Sequence, residues 1–327
     1  MVDAASQAWP PFILVAGLLM IGAAAAADGL FEAIGARLAS DRLPPRTLLV
    51  ALLALVALVS AVLNLDTSVV FLTPVLVHAA RRRGVDERPF LYGSVFMANS
   101  ASLLLPGSNL TNLLVLGGGP RPDMLRAWLA SCALTTAFVA AVFRFPERRA
   151  EDATVPPPFT LGLGAAGVIL AGALVVALPR PALPVLALGL AVTAARRARP
   201  SIGVRTLGAL YALAVALGTL ARTPAVHALL PTTAGAWPTA GVAAAASLFL
   251  NNLPAAVLFS AHAPPAHPAA LLIGLDLGPN AAVTGSLAAV LWLRAGRSLG
   301  ANASAATYSK LGAALVPLTL LAALGAG

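Results

Sequence analysis

Two stretches of the chain place polar residues and a proline inside long apolar runs. One is LNLDTSVVFLTP at 63–74, and the other is LFLNNLPAAVL at 248–258. Lipid offers no hydrogen-bond partners to the backbone, so an interrupted helix is tolerated in a membrane only where it is buried in protein or lines a wet cavity. These two stretches therefore constrain the fold more than any other feature of the sequence.

The apolar runs themselves predict a helical protein that crosses the membrane several times. The 327 residues are 59% hydrophobic and only 10% charged, whereas soluble domains carry roughly 25% charged residues. The apolar residues do not alternate, which favours a helical bundle over a barrel. A span needs about 20 residues. Runs that approach or exceed this length lie at 11–28, 90–116, 124–145, 159–179, 182–196, 204–221, 269–293 and 304–325.

Two further regions, 46–80 and 237–263, predict re-entrant helical hairpins. A straight helix over 46–80 would be about 50 Å long, too long for a bilayer core of about 30 Å. The polar tips are Asn64-Leu65-Asp66-Thr67 and Asn251-Asn252-Leu253-Pro254. Each hairpin precedes a span broken by polar residues, LLLPGSNLTNLL at 103–114 and LDLGPNAAVTGSL at 275–287. An inverted repeat of this kind places the solute site of a transporter where the discontinuous helices meet.

Arginine placement predicts the orientation of the repeat. If both hairpins return to the side they enter from and the spans alternate, one side of the membrane collects Arg37, Arg42, Arg46, Arg81, Arg82, Arg83, Arg88, Arg144, Arg148, Arg149, Arg196, Arg197, Arg199, Arg205, Arg294 and Arg297. The other side receives Arg121, Arg126, Arg180 and Arg222. The positive-inside rule then places both termini outside. The same pattern accounts for the net charge of +9 without a nucleic-acid partner.

The repeat divides the chain into two predicted halves. Residues 1–150 hold one span, the cytoplasm-opening hairpin 46–80, the broken helix 90–116 and the span 124–145. Residues 151–327 hold three spans, the outside-opening hairpin 237–263, the broken helix 269–293 and the final span 304–325. No Lys or Arg precedes the first apolar run, so a secretory signal peptide is not expected.

Several function classes have no support in the sequence. The single cysteine, Cys132, excludes an intrachain disulfide and a multi-cysteine metal site. The histidines lack zinc-like spacing, so no metal or other cofactor is expected. No Gly-rich Walker loop is present and no nucleophile–base pair stands out, so the chain is predicted to be a transporter and not an enzyme.

The two halves resemble a known family. FLNNLPAAVL followed by GLDLGPNAAVTGSLAAVLWL, and DTSVVFLTP followed by ANSASLLLPGSNLTNLL, are similar to the C- and N-terminal halves of the ArsB arsenite efflux permeases, within the wider ion transporter superfamily. The resemblance implies export of arsenite and antimonite across a bacterial-type plasma (inner) membrane, in exchange for protons. It also allows a homodimer and a separate cytosolic ATPase partner. The chain departs from the family at the first tip, where Leu65-Asp66-Thr67 replaces the usual Asn-Asp-Gly, and at Asn280, where relatives often carry lysine.

The candidate solute-binding residues are the amides and hydroxyls of the two tips and the two broken helices. Arsenite at neutral pH is mainly an uncharged trihydroxide, which requires exchangeable hydrogen-bond partners and not tight ligation by thiolates. The candidate set is Asn64, Thr67, Ser108, Asn109, Asn112, Asn251, Asn252, Asn280 and Thr284. Helix capping in a broken segment is the alternative role for any one of them.

Three acids are candidates for the coupling of export to protons or another cation: Asp66, Asp276 and Asp28. An acid at mid-membrane is costly unless it is neutralised or hydrated, so it suggests function. Asp28 has an alternative role as a solvated helix end, and Asp276 as a cap. The alternative function within the same fold is a sodium/proton antiporter, with Asp66 and Asp276 as cation ligands, or another ion or anion carrier of the same superfamily. A dicarboxylate carrier is disfavoured because no Arg or Lys reaches the predicted site.

Overall fold

The structure is a computed structural model that describes residues 2–40, 43–116, 124–146, 162–178, 180–196, 204–223, 235–260 and 266–326. Within these ranges it is all helical and contains no strand, which confirms the predicted fold class. The helices are α1 (Val2–Ala27), α2 (Leu30–Ser40), α3 (Pro45–Val62), α4 (Leu65–Arg82), α5 (Arg88–Ala101), α6 (Leu110–Leu116), α7 (Met124–Val142), α8 (Leu163–Ala177), α9 (Ala182–Arg196), α10 (Val204–Ala221), α11 (Ala236–Leu250), α12 (Asn252–Ser260), α13 (Pro268–Leu277), α14 (Leu287–Ser298) and α15 (Ala305–Ala326). Short 3₁₀ turns lie at Pro106–Ser108, Gly278–Ala281 and Val283–Gly285.

Four of these helices are long and apolar enough to cross a membrane. They are Trp9–Ala27 within α1, Pro45–Val62, Met124–Val142 and Ala305–Ala326. Apolar helices of shorter length lie at Leu163–Ala177, Ala182–Arg196, Tyr211–Ala221 and Ala236–Leu250. The protein is therefore a multi-pass membrane protein. Pro45–Val62, one of these four helices, is an arm of the first predicted hairpin.

Both predicted hairpins are present, and they differ in length. The arms of the first, α3 and α4, have 18 residues each, or about 27 Å at 1.5 Å per residue. The arms of the second, α11 and α12, have 15 and 9 residues. Because α4 continues through Pro74 to Arg82, the first hairpin covers the predicted range 46–80.

Both predicted broken helices are also interrupted. After α5 the chain passes through the turn Pro106–Ser108 before α6 begins, and after α13 it passes through two 3₁₀ turns before α14 begins. The first segment of each broken helix packs against the hairpin of its own half, α5 on α3 and α4, and α13 on α11. The second segment packs against the opposite hairpin, α14 on α4 and α6 on α12. The four interrupted elements therefore interlock at one place.

The helix α2 was not predicted. It follows the first span directly and carries Glu32 and Arg37 among apolar residues, so it is too short and too polar to resemble a span. It packs against α4, where a side chain at Gly35 would collide with Val75.

The helices α8, α9 and α10 pack closely against α1, which contains the first span. A Cβ added at Gly17 of α1 would lie 2.8 Å from the backbone of Val185 in α9, and one at Gly189 would lie 2.8 Å from the carbonyl oxygen of Gly17. Small residues at such crossings let helix backbones approach in a membrane protein. On the opposite side of α8 and α9, large apolar residues such as Ile169 and Leu183 are exposed, as lipid-facing surfaces are.

Candidate functional site

A cavity of about 300 Å³ lies where the two hairpin tips meet the starts of α6 and α14. Its polar lining comes from both halves of the chain. The lining consists of Leu65, Asp66, Asn109, Leu110, Leu213, Leu250, Asn251, Asn252, Leu253, Pro254, Ser286, Leu287, Ala288 and Val290. Among these described lining residues, Asp66 is the only charged one, and no Lys or Arg is present. The cavity is therefore suited to an uncharged or cationic guest and poorly suited to an unaccompanied anion.

The first tip presents a carboxyl to this cavity from a capped helix. The side-chain oxygen of Asn64 accepts a hydrogen bond from the backbone N–H of Thr67 at 2.7 Å and so caps α4. Asn64 and Thr67 are both buried, and the Thr67 hydroxyl has no hydrogen-bond partner among the described residues. Asp66 is partly exposed to the cavity and is paired with no residue in the described part of the chain. The tip therefore offers a free carboxyl to a guest.

The second tip is built around a strained backbone. Asn251 has φ 77° and ψ 149°, and it is the only non-glycine residue with a positive φ in the described ranges. This conformation is nearly restricted to glycine, and it persists in other residues only where the surroundings impose it. The Asn251 amide donates a hydrogen bond to the backbone oxygen of Thr284 at 2.9 Å. This contact joins the second tip to the broken segment that leads into α14.

Behind the cavity wall lies a buried carboxyl, Asp276 at the end of α13. One of its oxygens accepts hydrogen bonds from the Asn109 amide at 2.8 Å and from the Thr111 hydroxyl at 2.7 Å. Asp276 is 1% exposed, and its second oxygen has no partner among the described residues. Because Asp276 belongs to the second half and Asn109 and Thr111 to the first, this cluster joins the two halves.

A second contact between the halves pairs Asn99 with Asn280. The Asn99 amide donates to the side-chain oxygen of Asn280 at 2.8 Å, and both residues are buried. The Tyr308 hydroxyl donates to the backbone oxygen of Pro279 at 3.1 Å. A side chain at Gly312 would collide with the backbone of Asn280. The amide pair is thus held from α15 and does not line the cavity.

The predicted solute residues separate into three groups. Asn109, Asn251 and Asn252 line the cavity, while Asn64 and Thr67 lie in the tip beside it. Ser108 and Asn112 lie behind Leu110: the Ser108 hydroxyl donates to the backbone oxygens of Ser102 and Leu105, and the Asn112 amide to that of Ser102 at 2.6 Å. Asn280 forms the buried amide pair, and the Thr284 side chain is exposed.

Of the three predicted acids, the structure places one in the cavity, one behind it and one elsewhere. Asp28 forms an ion pair with Arg196 at the end of α9 and accepts a hydrogen bond from the backbone N–H of Gly164 at 2.8 Å. It therefore caps α8 and links the end of α1 to α8 and α9. It does not line the cavity.

Three residues of this region were not among the predicted site residues. Ser286 lines the cavity and caps α14 by accepting from the backbone N–H of Ala289 at 3.2 Å. A serine directly before the apolar run 287–293 is an N-cap signal that indicates this position. Asn99 and Thr111 have partners in the other half, Asn280 and Asp276, and no local pattern indicates such contacts.

A second cavity of about 240 Å³ lies at the base of the first hairpin, between α2 and α4. Its charged and titratable lining residues are Glu32, His78 and Arg82. It shares no lining residue with the cavity at the tips.

Comparisons with known proteins agree with a transporter. A family model described as citrate transporter (CitMHS) matches residues 2–289. The solved structure of the YdaH transporter of Alcanivorax borkumensis, described as having an unusual topology, is similar with a TM-score of 0.57. It is 16% identical in sequence, and the match covers 98% of this chain and 85% of that one. A search of curated protein sequences gave no match.

Proposed function

The chain belongs to the citrate transporter (CitMHS) family and is a secondary transporter, and we propose that its solute is a small uncharged molecule rich in hydroxyl groups, with arsenite as the leading candidate. The family match agrees with the wider ion transporter assignment. It does not indicate the arsenite branch, to which the sequence motifs are similar. The arsenite assignment therefore depends on the chemistry of the cavity.

The observation that most supports the proposal is the polar part of a largely apolar cavity lining: among the described residues it consists of amides, a hydroxyl and a carboxyl, with no cationic side chain. Asn109, Asn251, Asn252 and Ser286 offer donors and acceptors to a guest. Hydrogen bonds to neutral groups exchange readily, since each contributes only about 0.5–1.5 kcal/mol net. A transporter must release its solute, so a set of weak partners suits a neutral trihydroxide better than a set of thiolates would.

We also propose that Asp66 carries the coupling cation, a proton in the leading hypothesis. It is the charged group of the cavity and has no partner in the described part of the chain, so a proton or a sodium ion can reach it. A carboxyl that alternates between neutral and charged forms within a membrane can link proton entry to solute exit. The same carboxyl lies beside the amides of Asn251 and Asn252, which could complete the coordination of a sodium ion. The sodium/proton antiporter is therefore the alternative.

A citrate carrier is the second candidate, since the matching family model is described as citrate transporter. Citrate is a polyanion at neutral pH and needs opposite charge at its binding site. The described lining supplies none, and Asp66 would repel the anion. For this reason we rank citrate below an uncharged solute.

The test is uptake into everted membrane vesicles with an acidic interior, with arsenite and citrate supplied separately and sodium varied. We expect arsenite accumulation that follows the proton gradient, does not depend on sodium and is lost in Asp66→Asn. Vesicles without the protein give the background. Citrate uptake without arsenite uptake would replace the proposed solute, and sodium-dependent loss of the proton gradient without solute uptake would favour the antiporter.

We propose further that the protein lies in a bacterial-type plasma membrane with both termini outside, on the support of the arginine distribution. In a Cys132→Ser background, a cysteine replacing exposed Ser298 should react with a membrane-impermeant reagent only from the cytoplasm, and one replacing Gly235 only from outside. The reverse pattern would invert the topology. The homodimer and the cytosolic ATPase partner stay predictions.

A further inference from the structure

The structure separates two carboxyls that the sequence treats alike. Asp66 faces the tip cavity, whereas Asp276 is 1% exposed and lies one side chain behind the wall. Asn109 stands between Asp276 and the cavity, because it both lines the cavity and donates to Asp276 at 2.8 Å. A guest in the cavity therefore meets Asn109 and not Asp276.

The Asn109 amide is held at both ends. Its nitrogen donates to Asp276, and its oxygen accepts from the backbone N–H of Thr111 at 3.3 Å. An amide has two N–H donors and two acceptor sites, so one donor and one acceptor stay free for the cavity. Without Asp276, the nitrogen end of this side chain would lose its fixed partner and the amide could turn about its axis.

We propose that Asp276 is a positioning residue that orients the Asn109 amide toward the solute, and that it does not carry the coupling cation. The inference rests on the proposed function, because it assigns roles within the same solute site. The positioning role requires an oxygen acceptor at Asp276 and does not require its charge. The coupling role requires a group that binds and releases a cation, and Asp66 in the cavity supplies it.

The surroundings of Asp276 agree with this assignment. The helices packed against α13 are α5, α6, α11, α12 and α15. Their described titratable side chains are Arg88, Tyr92, Tyr308 and Lys310, and none of these is hydrogen-bonded to Asp276. The partners of Asp276 in the described residues are donors from uncharged side chains of the first half.

The position of Asp276 in the fold explains why such a residue is useful. Asn109 begins α6, in the first half, while Asp276 ends α13, in the second half. The orientation of the Asn109 amide therefore depends on how the two halves are docked. A movement of one half relative to the other that separates Asp276 from Asn109 would release the amide and weaken solute binding.

The test compares Asp276→Asn, Asp276→Ala and Asp66→Asn in everted vesicles, measuring KM, maximal rate and the pH profile of arsenite, citrate and sodium-dependent fluxes. An asparagine keeps an oxygen acceptor for Asn109 and Thr111 but cannot bind a proton. We expect Asp276→Asn to keep KM within about twofold of wild type with an unchanged pH profile, and Asp276→Ala to raise KM about tenfold. Asp66→Asn should remove the pH dependence of the flux.

A second variant tests the same contact if Asp276→Ala fails to fold. The double substitution Asn109→Asp with Asp276→Asn exchanges donor and acceptor across the same contact, and it should recover gradient-driven flux relative to Asn109→Asp alone, which sets two carboxyls against each other. No recovery would count against the positioning contact.

The remaining outcomes are distinct. Loss of gradient-driven accumulation in Asp276→Asn, with solute exchange retained, would make Asp276 a coupling residue and overturn the inference. Normal KM in both Asp276→Asn and Asp276→Ala would also overturn it. If wild type moves citrate or sodium but no arsenite, the proposed solute fails, while the comparison of Asp276 variants is made on the flux that is observed.

Discussion

The two hairpins occupy matching places in the two halves, yet they are built differently. The first has two arms of 18 residues, a capped tip and a base fixed by ion pairs. The second has a short arm of 9 residues and a strained tip at Asn251, and it leaves Phe249 82% exposed. The first hairpin carries the carboxyl of the cavity and the second carries only amides.

The two hairpins also differ in the hydrogen bonds that hold them. In the first, the Ser68 hydroxyl donates to the backbone oxygen of Val56 at 3.3 Å across the two arms, and Thr73 pairs with Ser94 of α5 at 3.0 Å. The second is joined to its neighbour by the tip contact from Asn251 to Thr284. The described side-chain hydrogen bonds therefore hold the first hairpin along its arms and the second at its tip.

The largest expected effect follows from the charge at the first tip. Asp66→Asn should lower gradient-driven accumulation by tenfold or more, on the order of 1.4 kcal/mol or above, because the cavity then lacks its charged group. The measurement is solute accumulation in everted vesicles at fixed gradient.

The matched control for this change moves the carboxyl to the second tip. Combining Asp66→Asn with Asn252→Asp keeps one carboxyl in the lining but places it on the second hairpin. We expect no recovery, because the carboxyl would then lie beside the strained tip of the second hairpin and not on the capped helix α4. Recovery to wild-type accumulation would mean that either tip can carry the charge, and the comparison would then fail.

The second prediction concerns the base of the first hairpin. Arg81 pairs with Glu87 and donates to the backbone oxygen of Leu299 at 3.1 Å, which ties α4 to the end of α14. The Arg81 side chain is 21% exposed, so solvent weakens the pair. Arg81→Ala should reduce the free energy of unfolding by about 1–2 kcal/mol, measured by thermal unfolding in detergent.

The loss of stability in Arg81→Ala can be compared with that in Arg88→Ala, a substitution at a nearby ion pair. Its ion pair with Asp86 is more exposed on the arginine side, at 48%, and hydrogen bonding to Asp86 raises the pKa of Arg88 above its usual value. Asp86 is buried, but the Arg88 guanidinium is more strongly screened by solvent than that of Arg81 and its pair does not include the link to α14, so Arg88→Ala should cost less than Arg81→Ala. Equal losses would contradict the view that the link to α14 fixes the hairpin.

The third prediction concerns the cap of the first tip. Asn64→Ala removes the side-chain oxygen that accepts from Thr67, and loss of such a cap costs about 1 kcal/mol. Asn64→Gly should cost only a few tenths. Thermal unfolding of the two variants side by side measures the cap, and identical losses would show that Asn64 contributes through other contacts.

The sequence was sufficient to predict the elements that depend only on residues close together in the chain. Apolar length and polar interruption predicted both hairpins, both broken helices and the amides at the tips, since membrane burial leaves few other uses for such residues. It was not sufficient for contacts that form only after the halves dock. The Asn99–Asn280 pair joins residues 181 positions apart, and Asp276 meets Asn109 across 167 positions. Asp28 was predicted to be a coupling residue or a solvated helix end, and the sequence did not predict its ion pair, because Arg196 is distant in sequence.

Opposing effects on stability are expected at the second tip. Asn251→Gly relieves a backbone conformation that costs about 1–3 kcal/mol in other residues. It also loses the contact with Thr284, worth about 1 kcal/mol, and adds about 0.5–1 kcal/mol of chain entropy to the unfolded state. These terms nearly cancel, so the free energy of unfolding should change by less than about 1 kcal/mol in either direction.

The informative comparison at that tip is between stability and transport. Asn251→Ala keeps the strain and loses the same contact, so it should unfold at a lower temperature than Asn251→Gly, while both lose the amide that faces the cavity and both should transport poorly. If the glycine variant were as active as wild type, the Asn251 side chain would have no role with the solute. The role of Asn251 would then be limited to the strained backbone of the tip.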